Sequence, residues 1–433
     1  MFLILPVFAL YAHTLPGGDN AAWIGFALGS YGLTQALLQL PLGMLSDRIG
    51  RKKVIYGGLV LFAAGSFVAA GATDLVWLTI GRVIQGAGAI SAAITALLAD
   101  LTREEVRTRA MAMIGMSIGT TFAVSLVLGP LLASVIGVPG IFALTGVLTL
   151  MALVGVWRLI PDPARSRFHA DAEAKPARLM PVLKDGQLAR LNFGIFALHA
   201  AQMAMFVALP FALTATARLD KAHHWQVYLP VVVVGFVLMV PAIIYGEKKH
   251  KLKQVFVGAV GLMTVAQLGM AATLDTFWQI VLWLGLYFIA FNILEATLPS
   301  LISKIAPADA KGTAIGVYNT AQSFGLFVGA AAGGWLYGRY GATGVFAFTG
   351  TLMALWLVLA SSMRPPMAVR TVMLRIGNGW QGDAQKLSQK LAAQSGVREA
   401  VVVPEERVAY LKVSQQAWDQ AAVEKLIRET FPT

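Results

Sequence analysis

The sequence predicts an all-α membrane protein of twelve transmembrane helices in two six-helix halves, followed by a small soluble α+β domain. Three observations carry that prediction. Of 433 residues, 57% are apolar and 13% charged, against roughly 25% charged in a soluble domain, so the chain cannot cover a water-facing surface. The deficit is uneven: 16 charges fall in the 68 residues from Pro366 to Thr433, and the first 365 residues hold the other 40. Apolar stretches near the roughly 20 residues needed to cross a bilayer recur twelve times before that tail.

In order, the predicted spans are Phe2–Leu15, Ala22–Leu45, Val54–Ala72, Leu75–Ala99, Ala110–Ile136 and Gly140–Ile160. The second six are Leu191–Ala217, Trp225–Tyr245, Val255–Leu274, Phe277–Ile302, Thr313–Tyr337 and Thr343–Ser361. The first is short and has no basic flank, so the expectation is that the natural N-terminus lies upstream. A cleaved signal peptide is the rival reading, and it would need a charged region before the apolar run.

Cytoplasmic loops hold the excess of Lys and Arg. The loops after even-numbered spans carry 21 of them, and the opposite loops carry Arg218, Lys221 and Arg339. Both termini are therefore expected in the cytoplasm. The longest connector divides the chain into a half at 1–160, a linker at 161–190, a half at 191–365 and a tail at 366–433. In the linker, Arg178-Leu-Met-Pro-Val-Leu-Lys is either a helix along the inner membrane face or a plain basic connector. The halves echo one another: IIYGEKKHKLK after span 8 repeats MLSDRIGRKK after span 2, placing Glu247 opposite Asp47, and KGTAIG from Lys311 repeats RAMAMIG from Arg109. Paired six-helix halves are a transporter design with the substrate site between them.

Several function classes are excluded. With no cysteine there is no thiolate chemistry or iron–sulfur cluster. No Walker loop is present, so ATP is not the drive, and six scattered His give no metal spacing. The net charge of +12 is dispersed between apolar stretches, which argues against nucleic-acid binding. No enzyme signature and no cofactor are expected.

The segment GMLSDRIGRKK places Gly43, Asp47, Arg48, Gly50, Arg51 and Lys52 between spans 2 and 3. It resembles the signature loop of the major facilitator superfamily, in the matching place of a twelve-span map. The positive-inside rule alone explains the basic residues but not the glycines or Asp47. The resemblance implies that Asp47 meets the positive N-terminal end of span 11, that Arg51 pairs with Asp100, and that this cluster holds the cytoplasmic side closed. Span 4 carries LTIGRVIQGAGA, which resembles the family's span-4 motif through Arg82, Gln85, Gly86 and Gly88. A charge inside a span is a functional candidate by default, with snorkelling to the outer interface as the alternative. In the family's antiporters a Gly-Pro motif in span 5 ends in two glycines. Here Gly129-Pro130 is followed by Ala133 and Ser134, so that signal is incomplete.

Glu295 is the one acidic residue well inside a predicted span, nine residues before Lys304, and His199 is nine residues after Arg190. Their helices run in opposite directions, so both sit about 14 Å from the cytoplasmic edge. Polar neighbours on the same faces are Asn192 and Gln202 on span 7 and Asn292 on span 10. The resemblance places spans 1, 4, 7 and 10 around a central cavity. Glu295, His199 and Arg82 are therefore the expected proton-coupling residues. Glu295 has an ordinary reading as an interhelical hydrogen-bonding group, and neutral His199 as packing between helices. Gln35, Gln85, Asn192, Gln202, Phe206, Phe291, Asn292, Asn319 and Gln322 are the expected cavity lining; apart from these polar groups the cavity reads as apolar and aromatic, which suits a lipophilic substrate.

The tail alternates short elements. Val369–Ile376 reads as a strand, Asp383–Gln394 as a helix, Val397–Val403 and Val408–Val413 as strands, and Trp418–Phe431 as a helix. That order is a ferredoxin-like split unit. It resembles small metal-binding domains of that fold, yet Gly377–Gly382 stands where they carry paired cysteines. Regulation, homo-oligomer formation through an open sheet edge and folding support all fit such a tail.

Together these readings predict a proton-coupled secondary transporter of a bacterial inner membrane, exporting lipophilic or drug-like molecules by alternating access. Its partners would be the lipid bilayer, a small-molecule substrate and protons. A symporter or facilitator for a small metabolite, or a non-transporting membrane sensor with a regulatory tail, fits the same map.

Overall fold

In the computed structural model the described residues are 2–102, 104–162, 174, 176–249, 251–307, 310–365, 369–376, 383–404, 408–414 and 418. For 104–109, 112, 369–371, 373 and 375 only the backbone is described. The expected helix Trp418–Phe431 (beyond Trp418 itself), the loop Gly377–Gly382, Arg103 and most of the linker lie outside them.

The membrane part is helical throughout. A single 3-10 turn, Phe2–Ile4, leads into α1 (Leu5–Ala12), followed by α2 (Ala21–Ile49), α3 (Arg51–Ala70), α4 (Leu75–Ala87), α5 (Ser91–Leu101) and α6 (Glu104–Leu159). The linker contributes α7 (Pro176–Lys184), and the second half α8 (Gly186–Ala215), α9 (Trp225–Lys248), α10 (Leu252–Ala272), α11 (Phe277–Ile305) and α12 (Lys311–Ser361). Among the described residues, eight helical stretches are long and apolar enough to cross a membrane. Two of them, Met113–Leu159 and Lys311–Ser361, have 47 and 51 residues, more than twice what one crossing needs. Each reverses at one glycine, Gly137 (φ +70°) and Gly341 (φ +62°), in the left-handed region that side chains avoid. α2 and the shorter apolar stretch Phe2–Ala12 stand at the places of the two remaining expected spans.

Local sequence sets the helix starts. Asn20 Oδ1 accepts from the Ala22 and Trp23 amides at 3.0 and 3.3 Å, and Asp74 Oδ1 from Trp77 at 2.9 Å. Asp185 caps α8 in the same way, and Thr276 forms a full capping box with Gln279 on α11. Span 4 departs from expectation: the helix is interrupted between Ala87 and Ser91. There Gly86 is pressed against the Tyr31 carbonyl and Gly88 against that of Gly58, so tertiary contact interrupts a stretch that composition reads as continuous.

The central packing feature is the first half of α12, which lies between α8 and α2. On one side a methyl at Gly325, Gly329 or Gly333 would meet Phe196, Ala200 or Ala204 of α8, at 2.1 Å from the Ala200 carbonyl. On the other, Gly25, Gly29 and Gly32 of α2 meet Ala330, Phe327 and Ser323. Small residues thus allow backbone contact both within the second half and between the halves. Gly129 brings α6 against the Leu3 carbonyl and Pro6 in the same way.

At the inner face, Lys52 Nζ donates to the Ile160 carbonyl at 3.0 Å, and Lys253 Nζ to the Ser361 carbonyl at 2.9 Å. The two echoed loops therefore each place a cation at the end of their own half's last helix, where the dipole favours it. The linker helix α7 buries Val182, exposes Met180 and Leu183, and packs on α8 and α12.

The tail folds as β1 (Val369–Arg375), α13 (Ala384–Ala392), β2 (Val397–Val403) and β3 (Val408–Ser414). The sheet is antiparallel in the order β1-β3-β2, pairing Val372 with Leu411 and Val402 with Ala409. Leu387 and Leu391 of α13 cover one face, against Leu374, Ala409, Leu411 and Val413.

Candidate functional site

The signature loop forms a compact charge cluster at the inner end of the first half. Gly50 (φ +104°) joins α2 to α3, which turns Arg51 back onto α2. Its guanidinium pairs with Asp47, donates from Nε to Asp100 Oδ2 at 3.3 Å, and donates from Nη1 to Ser46 Oγ at 3.0 Å. Arg51 and Asp100 are buried, their side chains 2% and 0% exposed. Arg48 is exposed at the loop's edge. Gly43 and Asp47 line a narrow cleft of about 30 Å³ with Gln39, Asn319, Gly312 and Gly316, so the loop faces the first turns of α12 across the boundary between the halves. Opposite, Glu247 Oε1 accepts from Lys304 Nζ at 2.7 Å. The second half thus ties α9 to α11 with the signs of the pair reversed.

Arg82 does not snorkel. It is fully buried, donating to Gln85 Oε1 at 2.8 Å and to the Leu28 carbonyl at 3.3 Å, with its guanidinium 4.9 Å from the Tyr31 ring centre. Gln85 passes the chain on, its amide donating to Ser66 Oγ at 2.8 Å. The Arg82 side chain is held by groups of α2 and α4, with an aromatic face supplying part of the compensation for its charge.

The second half brings three expected residues from three helices together. His199 on α8 has Nδ1 at 3.2 Å from the Ile195 carbonyl, while Nε2 lies 2.7 Å from Gln322 Nε2 on α12 and 3.8 Å from Glu295 Oε2 on α11. The His199 side chain is 7% exposed and that of Glu295 35%. Around them, Phe291 lies 6.2 Å from the His199 ring, is stacked on Tyr287 at 5.7 Å, and touches Phe122 of α6 at 5.6 Å. Phe122 carries the first half's aromatic contact to this site. The hydroxyls of Tyr287 and Tyr318 are buried without a hydrogen-bond partner among the described residues, as are Glu295 Oε2 and Asn192 Oδ1.

Not all expected residues converge. Among the described contacts, Arg82 joins neither His199 nor Glu295: Nη1 and Nη2 donate inside the first half, and Nε has no hydrogen-bond partner among the described residues. Five of the nine expected cavity residues are buried, Gln85 and Phe291 at 2% and 3% exposure among them. Phe206 is fully buried and packs on Tyr228 of α9, and Gln202 is 3% exposed. Asn292 is 5% exposed, with its amide nitrogen toward Gly235 of α9. Gln35 and Asn319 remain partly exposed on the facing helices α2 and α12. Residue type marked these helices as polar but did not say which way each side chain turns. Sequence reasoning did not single out Ser46, Ser66, Tyr287 or Tyr318; Ser46 meets Arg51 within its own loop, and Ser66 is reached by Gln85 of α4.

Comparisons with known proteins agree with this architecture. The Major Facilitator Superfamily profile matches residues 1–330 and 247–374, and the YajR YAM domain profile matches residues 378–429. The inner membrane transport protein YajR of Escherichia coli (strain K12) is 43% identical over 430 residues, covering 99% of this chain and 94% of that one. The quinolone resistance protein NorA of Staphylococcus aureus (strain COL) is 25% identical over 348 residues, covering 77% and 85%. Among solved structures, a bacterial homologue of the human lysosomal transporter Spinster matches with a TM-score of 0.64 at 14% identity, over 83% of this chain and 91% of that one. The human organic anion transporter MFSD10 matches at 0.59 and 20%, over 82% and 88%. Both structural matches speak to the fold alone. With a profile spanning most of the helical region and a relative 43% identical over nearly its whole length, this chain belongs to the major facilitator superfamily as a multi-pass inner-membrane transporter with a C-terminal YAM domain.

Proposed function

We propose that this transporter is a proton-coupled exporter of lipophilic or drug-like molecules, with His199 and Glu295 as the groups that load and release the proton. The observation carrying the reading is the meeting of an imidazole and a carboxylate, 3.8 Å apart, inside the membrane-spanning region. Ionisable groups are rare at such depth and mark ion pathways. An imidazole in water titrates within the pH range over which a proton gradient operates. The aromatic surroundings, Phe291, Tyr287 and Phe122, favour an apolar substrate body. Distant similarity to a quinolone resistance protein supports the export direction. On this reading the Asp47–Arg51–Asp100 cluster stabilises the state closed to the cytoplasm, and the substrate path lies between the halves.

The test uses everted membrane vesicles with an imposed pH gradient and a lipophilic cation, tetraphenylphosphonium, as probe. Glu295→Gln should lose gradient-driven accumulation at least tenfold while the purified protein still binds the probe. Full gradient dependence in Glu295→Gln at normal membrane abundance would sink the proposal.

A further inference from the structure

With His199 and Glu295 read as the proton site, the hydrogen bonds around His199 set which of its ring nitrogens carries hydrogen. A carbonyl can only accept, so the 3.2 Å contact with the Ile195 carbonyl puts a hydrogen on Nδ1. In a neutral ring Nε2 is then an acceptor, and the Gln322 amide nitrogen donates to it at 2.7 Å. Exchanging the amide's oxygen and nitrogen would demand a hydrogen on Nε2 as well, which makes the ring an imidazolium. The two orientations of one amide therefore correspond to the two charge states of His199.

We infer that Gln322 is a positioning residue for His199: its amide fixes the Nδ1–H tautomer and withholds Nε2 from Glu295 until a second proton arrives. In the neutral arrangement Glu295 Oε2 stands 3.8 Å from Nε2, beyond hydrogen-bond reach, and finds no other hydrogen-bond partner among the described residues. A proton taken from water onto Nε2 would leave two donors facing each other across 2.7 Å. The conflict is relieved by turning the amide so that its oxygen accepts, or by handing Nε2–H to Glu295. Other titratable groups near the pair are the hydroxyls of Tyr287 on α11 and Tyr318 on α12, each within electrostatic reach of Glu295. Gln322 is also placed to pass the event on. Its neighbour Ser323 donates to Gln39 Oε1 of α2 at 3.5 Å, across the boundary between the halves.

The experiment is nitrogen-15 NMR of histidine-labelled full-length protein in lipid bilayers, with the His199 signal identified by its loss in His199→Asn. At pH 8 the wild type should show the Nδ1–H tautomer. Gln322→Leu should raise the fraction of rings carrying a hydrogen on Nε2 at least tenfold, and adding Glu295→Gln should reverse most of that rise. If Gln322→Leu does not fold, Gln322→Glu serves, because an acceptor in place of the amide donor should also draw a hydrogen to Nε2. An Nε2–H tautomer in the wild type, or an unchanged ring in a folded Gln322 variant, would overturn the inference. Failure of the transport reading is separately visible, as gradient-driven flux that persists in His199→Asn while the ring behaves as described.

Discussion

Substituting Gly25 by alanine tests whether backbone contact between α2 and α12 holds the outer ends of the two halves together. A methyl there would lie 2.2 Å from the Ala330 carbonyl oxygen and 2.8 Å from Gly334 Cα. Ordinary carbon–oxygen contacts begin near 3.3 Å, so the helices must part by about 1 Å. A gap of that size forfeits roughly a quarter to a half of the dispersion energy of each contact, and overpacking of this kind costs about 1–3 kcal/mol. The cost falls only on the state in which these ends touch. At about 2 kcal/mol the population should shift about 30-fold toward a state open on the outer side. The chain has no cysteine, so Asp19→Cys and Arg339→Cys, both on the exposed outer side, give a clean pair for spin labels and pulsed distance measurement. A longer distance in Gly25→Ala is expected, with Gly57→Ala as control, since nothing lies within 4 Å of a methyl at Gly57. An unchanged distance distribution would refute the reasoning.

Two further predictions concern stability. Arg51→Ala removes the cation beside a buried Asp100 and should cost about 3–5 kcal/mol; thermal unfolding followed by tryptophan fluorescence reads this, and Asp100→Asn on that background should recover part of the loss. Gly137→Ala forces a side chain into the positive-φ region at φ +70°, ψ 171° and should cost about 1–3 kcal/mol, whereas Gly115→Ala in the same helix meets nothing within 4 Å and should be close to neutral by the same assay.

The elements legible in the sequence were those set by one-dimensional signals. β2 spans Val397–Val403, the bounds expected, although its burial does not alternate and a bulge separates Val397 from Glu399. Counting residues inward from flanking charges sufficed to place His199 and Glu295 at one depth. What could not be read was anything decided by a neighbour far along the chain. The interruption at Gly88 depends on a contact with Gly58, and hydropathy sees only an apolar run. Gln322 stood out as polar at helical spacing, but its pairing with His199 joins α12 to α8. The inward turn of Phe206 onto Tyr228 likewise belongs to the packing of α8 on α9, since phenylalanine suits a cavity wall and a core equally well.

The reversals at Gly137 and Gly341 have a consequence for how this protein meets the world outside the cell membrane. Two of its six outer connections are single-glycine elbows, and two more are the short links Gly71–Asp74 and Thr273–Thr276. Only the connections from His13 to Asn20 and from Thr216 to His224 offer any length of chain. An antibody, a protease or a surface-labelling reagent approaching from that side therefore finds little to grip. Binding proteins raised against the intact molecule should favour the opposite face, where the C-terminal domain presents folded surface.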